Sequence, residues 1–151
     1  MDKEVTQNRI TTCANLLAQH SYVHYFSISL TLAACMIMLL MALMGMLTLI
    51  LFLLMLGIIV TGFIEMIFAI RVGFDEKLLR QVGTLNVTEE LILKKLDDGL
   101  IFNKLVPVDK ADRNLQQRLT GCVGLFKRQT FVCATQLVMV ISAAFLLWIN
   151  S

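Results

Sequence analysis

Between Tyr22 and Ile70 the chain carries one acidic side chain, Glu65, and no lysine or arginine. A carboxyl in so apolar a stretch is costly to bury unless it finds hydrogen-bond partners or takes up a proton, which makes it the first candidate for chemistry. Gly57, Thr61, Glu65, Ala69 and Gly73 follow one another at steps of four residues, a stripe of small side chains around the acid. Small residues at that spacing let a second helix approach closely. Polar groups at a similar depth are Ser27, Thr31 and His24 in the first apolar run and Thr135 and Gln136 in the last. We therefore expect an intramembrane polar cluster of Glu65, Gln136, Thr135, Ser27, Thr31 and His24, with Gly57, Thr61, Ala69 and Gly73 as a helix-packing stripe. Such a cluster serves as glue between helices, as a protonation site coupled to transport, or as a contact for a partner's basic side chain.

The other reactive residue types form no site. His20 and His24 lie four apart and present two imidazoles on one helical face, but zinc needs further ligands and none is near in sequence. One helical turn also cannot place both rings on opposite faces of a haem. They read as interfacial histidines beside Tyr22 and Tyr25. Cys13, Cys35, Cys122 and Cys133 show no C-x-x-C spacing and read as reduced, space-filling thiols. The chain has no G-x-S-x-G, P-loop, H-E-x-x-H or Rossmann glycine pattern. No enzymatic activity, metal or cofactor is expected.

The elements that must position Glu65 follow from composition. The 151 residues are 58% hydrophobic and 16% charged, with a mean hydropathy of +0.78. A soluble domain runs to about 45–50% apolar and about 25% charged residues. One proline and eight glycines leave little for a turn-rich β fold, and a net charge of +2 gives no reason to expect nucleic-acid binding. Tyr22 to Ile70 as one helix would reach roughly 70 Å, too long for one crossing and about right for two. The fold-back belongs near Met44-Gly45-Met46, where Gly45 alone takes a positive φ without steric cost. Phe131 to Ile149 makes a third span. The early apolar run is too long and starts too late for a cleaved signal peptide.

The expected fold is thus an all-α integral membrane protein. It has three transmembrane helices, an N-terminal helical hairpin plus a C-terminal span, with a helical cytoplasmic segment between spans 2 and 3. Residues 1–21 form an interfacial amphipathic helix with Ile10, Cys13, Leu16 and Leu17 on one side. Residues 22–70 form the hairpin, 71–129 the amphipathic cytoplasmic helices and 130–151 the third span. Arg71, Lys77 and Arg80 follow the second span, and Arg118, Lys127 and Arg128 precede the third. The positive-inside rule then places the N-terminus and 71–129 in the cytoplasm and the C-terminus outside. The Asn86-Val87-Thr88 glycosylation triplet falls on the cytoplasmic side and is not expected to be used.

Within 71–129, Phe74, Leu78, Leu79 and Val82 repeat at helical spacing up to Gly83. Asn86 and Glu89 outline a capped helix with Ile92, Leu93, Leu96 and Leu100 as its stripe. Pro107 breaks the chain, and Asp109 or Asp112 opens a helix through Leu115, Leu119 and Leu125. Short amphipathic helices cannot bury their stripes alone and must pack on one another as a cap over the bundle, on the membrane surface or on a partner. The function expected is therefore a small accessory or scaffolding subunit of a larger bacterial inner-membrane assembly, in contact with the lipid bilayer and docking a membrane-protein partner through its cytoplasmic helices. Alternatives are an oligomeric transporter or channel using Glu65 as a proton or ion site, and a holin-like lesion former, for which the long 71–129 segment is superfluous.

Overall fold

The computed structural model describes residues 3–46, 48–83 and 115–149, and all four regular elements among them are helices. Helix α1 spans Lys3–Leu17, α2 His20–Leu43, α3 Leu49–Gly83 and α4 Leu115–Ile149. Three helical stretches are long and apolar enough to cross a membrane: Glu4–Leu43, which takes in α1 and α2, then Leu49–Gln81, and Leu115–Ile149. The helix expected from Asn86, the break at Pro107 and the Asp109 or Asp112 start lie outside the described residues.

The hairpin turn falls at Gly45, which has φ +69 and is the one positive-φ glycine among the described residues. The Gly45 N–H donates to Ala42 O at 3.2 Å and the Met46 N–H to Met41 O at 3.0 Å. That pair of bonds is a Schellman closure, which satisfies the last carbonyls of α2. Thr48 then starts α3, its Oγ1 accepting from the Leu51 N–H at 3.4 Å. A side-chain oxygen at this place pairs one of the free N–H groups of the first turn. The turn is thus built with no Asn, Asp or Pro.

Helix α3 does not stop at Ile70 but runs on through Arg71 to Gly83, and α4 runs unbroken from Leu115 into its apolar half. Each is 35 residues long, about 52 Å. Nothing at Arg71 or at Lys127 interrupts them, because charged residues with straight stems are good helix formers.

Burial along the helices follows steps of four and three. On α3 the sequence is Leu51, Met55, Ile58, Gly62, Glu65, Ala69, Val72, Glu76 and Leu79, all buried except the half-buried Gly62. On α4, Gln129, Cys133, Gln136 and Ala143 are buried at the same spacing, with half-buried Val140 and Leu147 completing it. On α2, buried Ser27 and Ala34 alternate with half-buried His24, Thr31 and Met38. A 3.5-residue repeat is the signature of helices kept in contact by left-handed winding. The expected stripe has the wrong period. Steps of four drift by about 40° each around a helix, so they leave any fixed seam. Ala69 is buried, while Gly57, Thr61 and Gly73 flank the seam at intermediate exposure.

The chain divides into two compact units, one of Met1–Ala18 with Val72–Leu125 and one of Gln19–Arg71 with Phe126–Ser151. In the first, α1 buries Thr6, Ile10, Cys13, Ala14 and Leu17, whereas Leu16, expected on the apolar side, is 43% exposed. Gln7 Nε2 donates to Gly83 O at 2.9 Å, so α1 supplies a partner for an end carbonyl of α3. Glu76 is 9% exposed, its Oε1 accepting from Arg80 Nε at 2.8 Å. Phe74 takes the exposed position. Cys13 and Cys122 lie here, outside the segments read as spans. Burial pushes the Cys122 thiol up to about 12, with the nearby Asp75 carboxylate adding to the effect. Burial raises Cys13 in the same direction.

In the second unit, α2, the 49–71 part of α3 and the 126–149 part of α4 pack around Ala34, Leu51, Met55, Ile58 and Ala143, with Met38, Met41, Met139 and Val140 against them. The methionines here fill gaps between helices, as their flexible thioethers allow.

Two outcomes test this description. Gly45→Ala should cost about 1 kcal/mol by forcing a Cβ into the left-handed region, although nothing crowds the site, and thermal unfolding in detergent measures it. Because burial and Asp75 hold the Cys122 thiol protonated, its maleimide labelling at pH 8 should be far slower than that of a free thiol.

Candidate functional site

The second unit turns polar at one end of its seam. Glu65 is 1% exposed on α3. Its Oε2 lies 2.9 Å from His24 Nδ1 on α2. Its Oε1 accepts from Gln129 Nε2 on α4 at 2.7 Å. Gln129 Nε2 also lies 3.3 Å from His20 O, so this one amide ties α4 to both other helices. With Nδ1 carrying the hydrogen, His24 donates to the carboxylate in either its neutral or its charged form. Both carboxylate oxygens are therefore engaged within the chain.

One heptad further along every helix sits a second bridge. Gln136 on α4 accepts from Ser27 Oγ at 2.7 Å and donates from Nε2 to Thr31 Oγ1 at 2.8 Å. The same Nε2 lies 3.3 Å from Ser27 O and 3.3 Å from Ile58 O of α3. Thr31 Oγ1 in turn donates to Ser27 O at 2.9 Å. Gln136 and Gln129 are each 0% exposed. An unpaired amide in an apolar interior costs several kcal/mol, so the hydroxyls of α2 are needed where they stand.

Between the two bridges lies the layer of Ser27, Gly62 and Cys133, with Cys133 Sγ 3.9 Å from Val23 O. A Cβ on Gly62 would overlap Thr31 Oγ1 and come within 3.2 Å of Gln136 Nε2. Gly62 is thus the position where a hydrogen removes the steric bar to the second bridge. At Gly57, by contrast, a Cβ would meet only the end of the flexible Met139 side chain, Cε at 2.9 Å and Sδ at 3.6 Å.

The structure brings together five of the six side chains expected to cluster: Glu65, His24, Ser27, Thr31 and Gln136. It does so as two bridges, not one layer. Thr135 stays outside, its Oγ1 bonded to Phe131 O of its own helix at 3.0 Å. It immediately precedes Gln136 on α4 and so points about 100° off the seam. Thr61 likewise bonds its own helix, to Gly57 O at 2.8 Å. Sequence reasoning missed Gln129 and Gly62. The signal for Gln129 was present, since it lies seven residues before Gln136 and shares its seam.

One atom in the cluster stands out: Gln129 Oε1 is buried and has no hydrogen-bond partner in the structure. Beyond Thr31, Ile58 and Gln136 the seam is closed by Ala34, Met55, Leu51 and Ala143, so the polar part ends blind. Among the described residues no three His, Cys, Asp or Glu side chains are placed to hold a metal ion. Comparison with protein-family models, curated proteins and solved structures finds no match to this chain.

The geometry separates two glycines of similar sequence appearance. Gly62→Ala should destabilise by about 1–3 kcal/mol, as overpacking at a fixed polar contact does. Gly57→Ala should change stability little, because Met139 can move. Paired unfolding curves in the same detergent decide it, and equal effects would place the close approach elsewhere.

Proposed function

We propose that the chain is a small accessory or scaffolding subunit of a larger inner-membrane assembly, with 22–70 and 130–151 in the bilayer and 71–129 in the cytoplasm. The observation that carries this reading is the blind polar seam. Its side chains spend their hydrogen bonds on one another across α2, α3 and α4, and an apolar plug closes the far half. Transport through one chain needs polar groups or water along the whole crossing, whereas a scaffold needs helices locked in register. The outer faces support the same reading. At most 22% of the residues in the most apolar windows are buried inside the chain, which leaves wide apolar surface for lipid or partner helices.

For docking, the described residues of the first unit form a groove of about 850 Å³ between α1 and the start of α4, where apolar Val5, Leu16, Leu115 and Leu119 alternate with polar residues such as Arg9 and Gln116. A groove with an apolar floor and polar flanks of this kind suits an amphipathic helix laid in by its apolar face.

The mass of the complex extracted gently at native expression, with its components identified, tests the proposal. A stoichiometric second protein is expected, and a pure homo-oligomer would overturn the accessory role. Single cysteines at Thr84 and Ser151 in a Cys-free background should label from opposite sides of the membrane, and same-side labelling removes the three-span topology.

One observation favours the oligomeric transporter or channel as a second reading. The His24 side chain is 25% exposed while Glu65 is 1% exposed, so the imidazole links a buried carboxyl to the outside. Glu65→Gln keeps the shape and removes the charge, and retained function in that variant excludes a proton-carrying role for the carboxylate.

A further inference from the structure

The second unit has an unusual distribution of surface charge. Over Gln19–Arg71 and Phe126–Ser151 the charged side chains are Arg71, Lys127, Arg128 and Glu65. The acid is buried, and the three cations are exposed. Every exposed charged side chain among this unit's described residues is therefore positive.

The hydrogen bonds of the site fix where these cations lie along the unit. Gln129 bonds Glu65 and His20 O, and Glu65 bonds His24, so residues 20–24, 65 and 129 share one level. Lys127 and Arg128 immediately precede Gln129. Arg71 lies six residues past Glu65, about 9 Å further along α3 and away from the apolar plug. At the shared level three aromatic side chains are strongly exposed, Tyr22, Tyr25 and Phe131 at 73%, 68% and 73%, beside the exposed Ile64, Met66 and Ile67 of α3. Below them come exposed aliphatic residues such as Leu32, Val60 and Val138. The opposite end exposes Leu43, Met44, Leu49 and Trp148 and carries no charged side chain.

We propose that this end is a binding surface for anionic phospholipid, with headgroup phosphates on Arg71, Lys127 and Arg128 and acyl chains on the aliphatic faces beneath. The proposal rests on the membrane reading above. Three features match a phospholipid in the order in which a lipid presents its parts. Cations meet the phosphate, amphipathic rings meet the glycerol region, and aliphatic side chains meet the tails. A free phosphate would use only the first. An acidic protein would have no use for the tyrosine belt or for the aliphatic surface that continues below it. The uncharged opposite end makes the preference one-sided, confined to one leaflet.

The test uses the full-length protein reconstituted into phosphatidylcholine vesicles containing a minor fraction of phosphatidylglycerol. It is then excised with its surrounding lipid by a polymer that needs no detergent, and the retained lipids are quantified. The retained ring should be enriched in phosphatidylglycerol over the bulk, and the enrichment should weaken as salt rises. Arg71→Gln, Lys127→Gln and Arg128→Gln should each lower the preference by about fivefold per bound site. Arg71→Lys and Arg128→Lys should keep it, since charge is what counts, and unchanged helix content shows that the Gln variants fold. Bulk-ratio retention by the native protein, or enrichment by the triple Gln variant equal to the native value, would overturn the proposal and leave the membrane reading standing. Failure to enter vesicles of either composition would overturn the membrane reading itself and the proposal with it.

Discussion

Two carboxamides on one helix hold the second unit together. Gln129 and Gln136 project from α4 one heptad apart, and each reaches both α2 and α3. Apolar packing cannot do this work alone in a lipid environment, because tails and side chains are equally apolar and no water is released. Interhelical hydrogen bonds are then among the few contacts that prefer one partner and one register over another. Each is worth only about 0.6 kcal/mol on average in membranes. What two bridging amides supply is less raw stability than alignment, since sliding any helix by one turn breaks bonds to both neighbours at once.

That constraint accounts for much of the surrounding sequence. Ser27 and Thr31 supply the hydroxyls that Gln136 needs, and Gly62 supplies the space. Glu65 supplies the acceptor for Gln129, and His24 covers the other carboxylate oxygen. The acid is therefore better described as one member of a network centred on glutamine than as an isolated charge with a separate purpose. Gln129 Oε1 is the point where the network is incomplete. Leaving a buried acceptor unpaired costs about 1–3 kcal/mol, an expense the other bonds of the bridge offset.

Much of this was legible in the residues. Long uncharged runs and clustered cations mark the helices, and the turn at Gly45 follows from its being the one residue there free to take a positive φ. Glu65 with its polar companions was visible because a carboxylate in an apolar run is rare. The failures have a common physical cause, which is period. A stripe at steps of four highlights Gly57, Thr61 and Gly73, while packed helices keep contact at 3.5 residues and select Gly62. The same repeat identifies Gln129, which is inconspicuous beside Lys127 and Arg128. Thr135 could not be separated from Gln136 by residue type, only by direction around the helix. The continuity of α3 past Arg71 was hidden because charged residues end an apolar run without ending a helix.

The hairpin tip has a consequence for how such a chain enters a bilayer. From Met44 through Thr48 the turn contains one hydroxyl and no charge, and the Schellman bonds and Thr48 already occupy backbone groups that a turn would otherwise leave bare. Crossing the hydrocarbon core is prohibitive mainly for ions and for unpaired backbone groups. A folded tip of this composition carries little of either, so in the proposed membrane reading the two helices would insert together as one preformed wedge. In that reading the charged segments on either side of the hairpin would not have to cross.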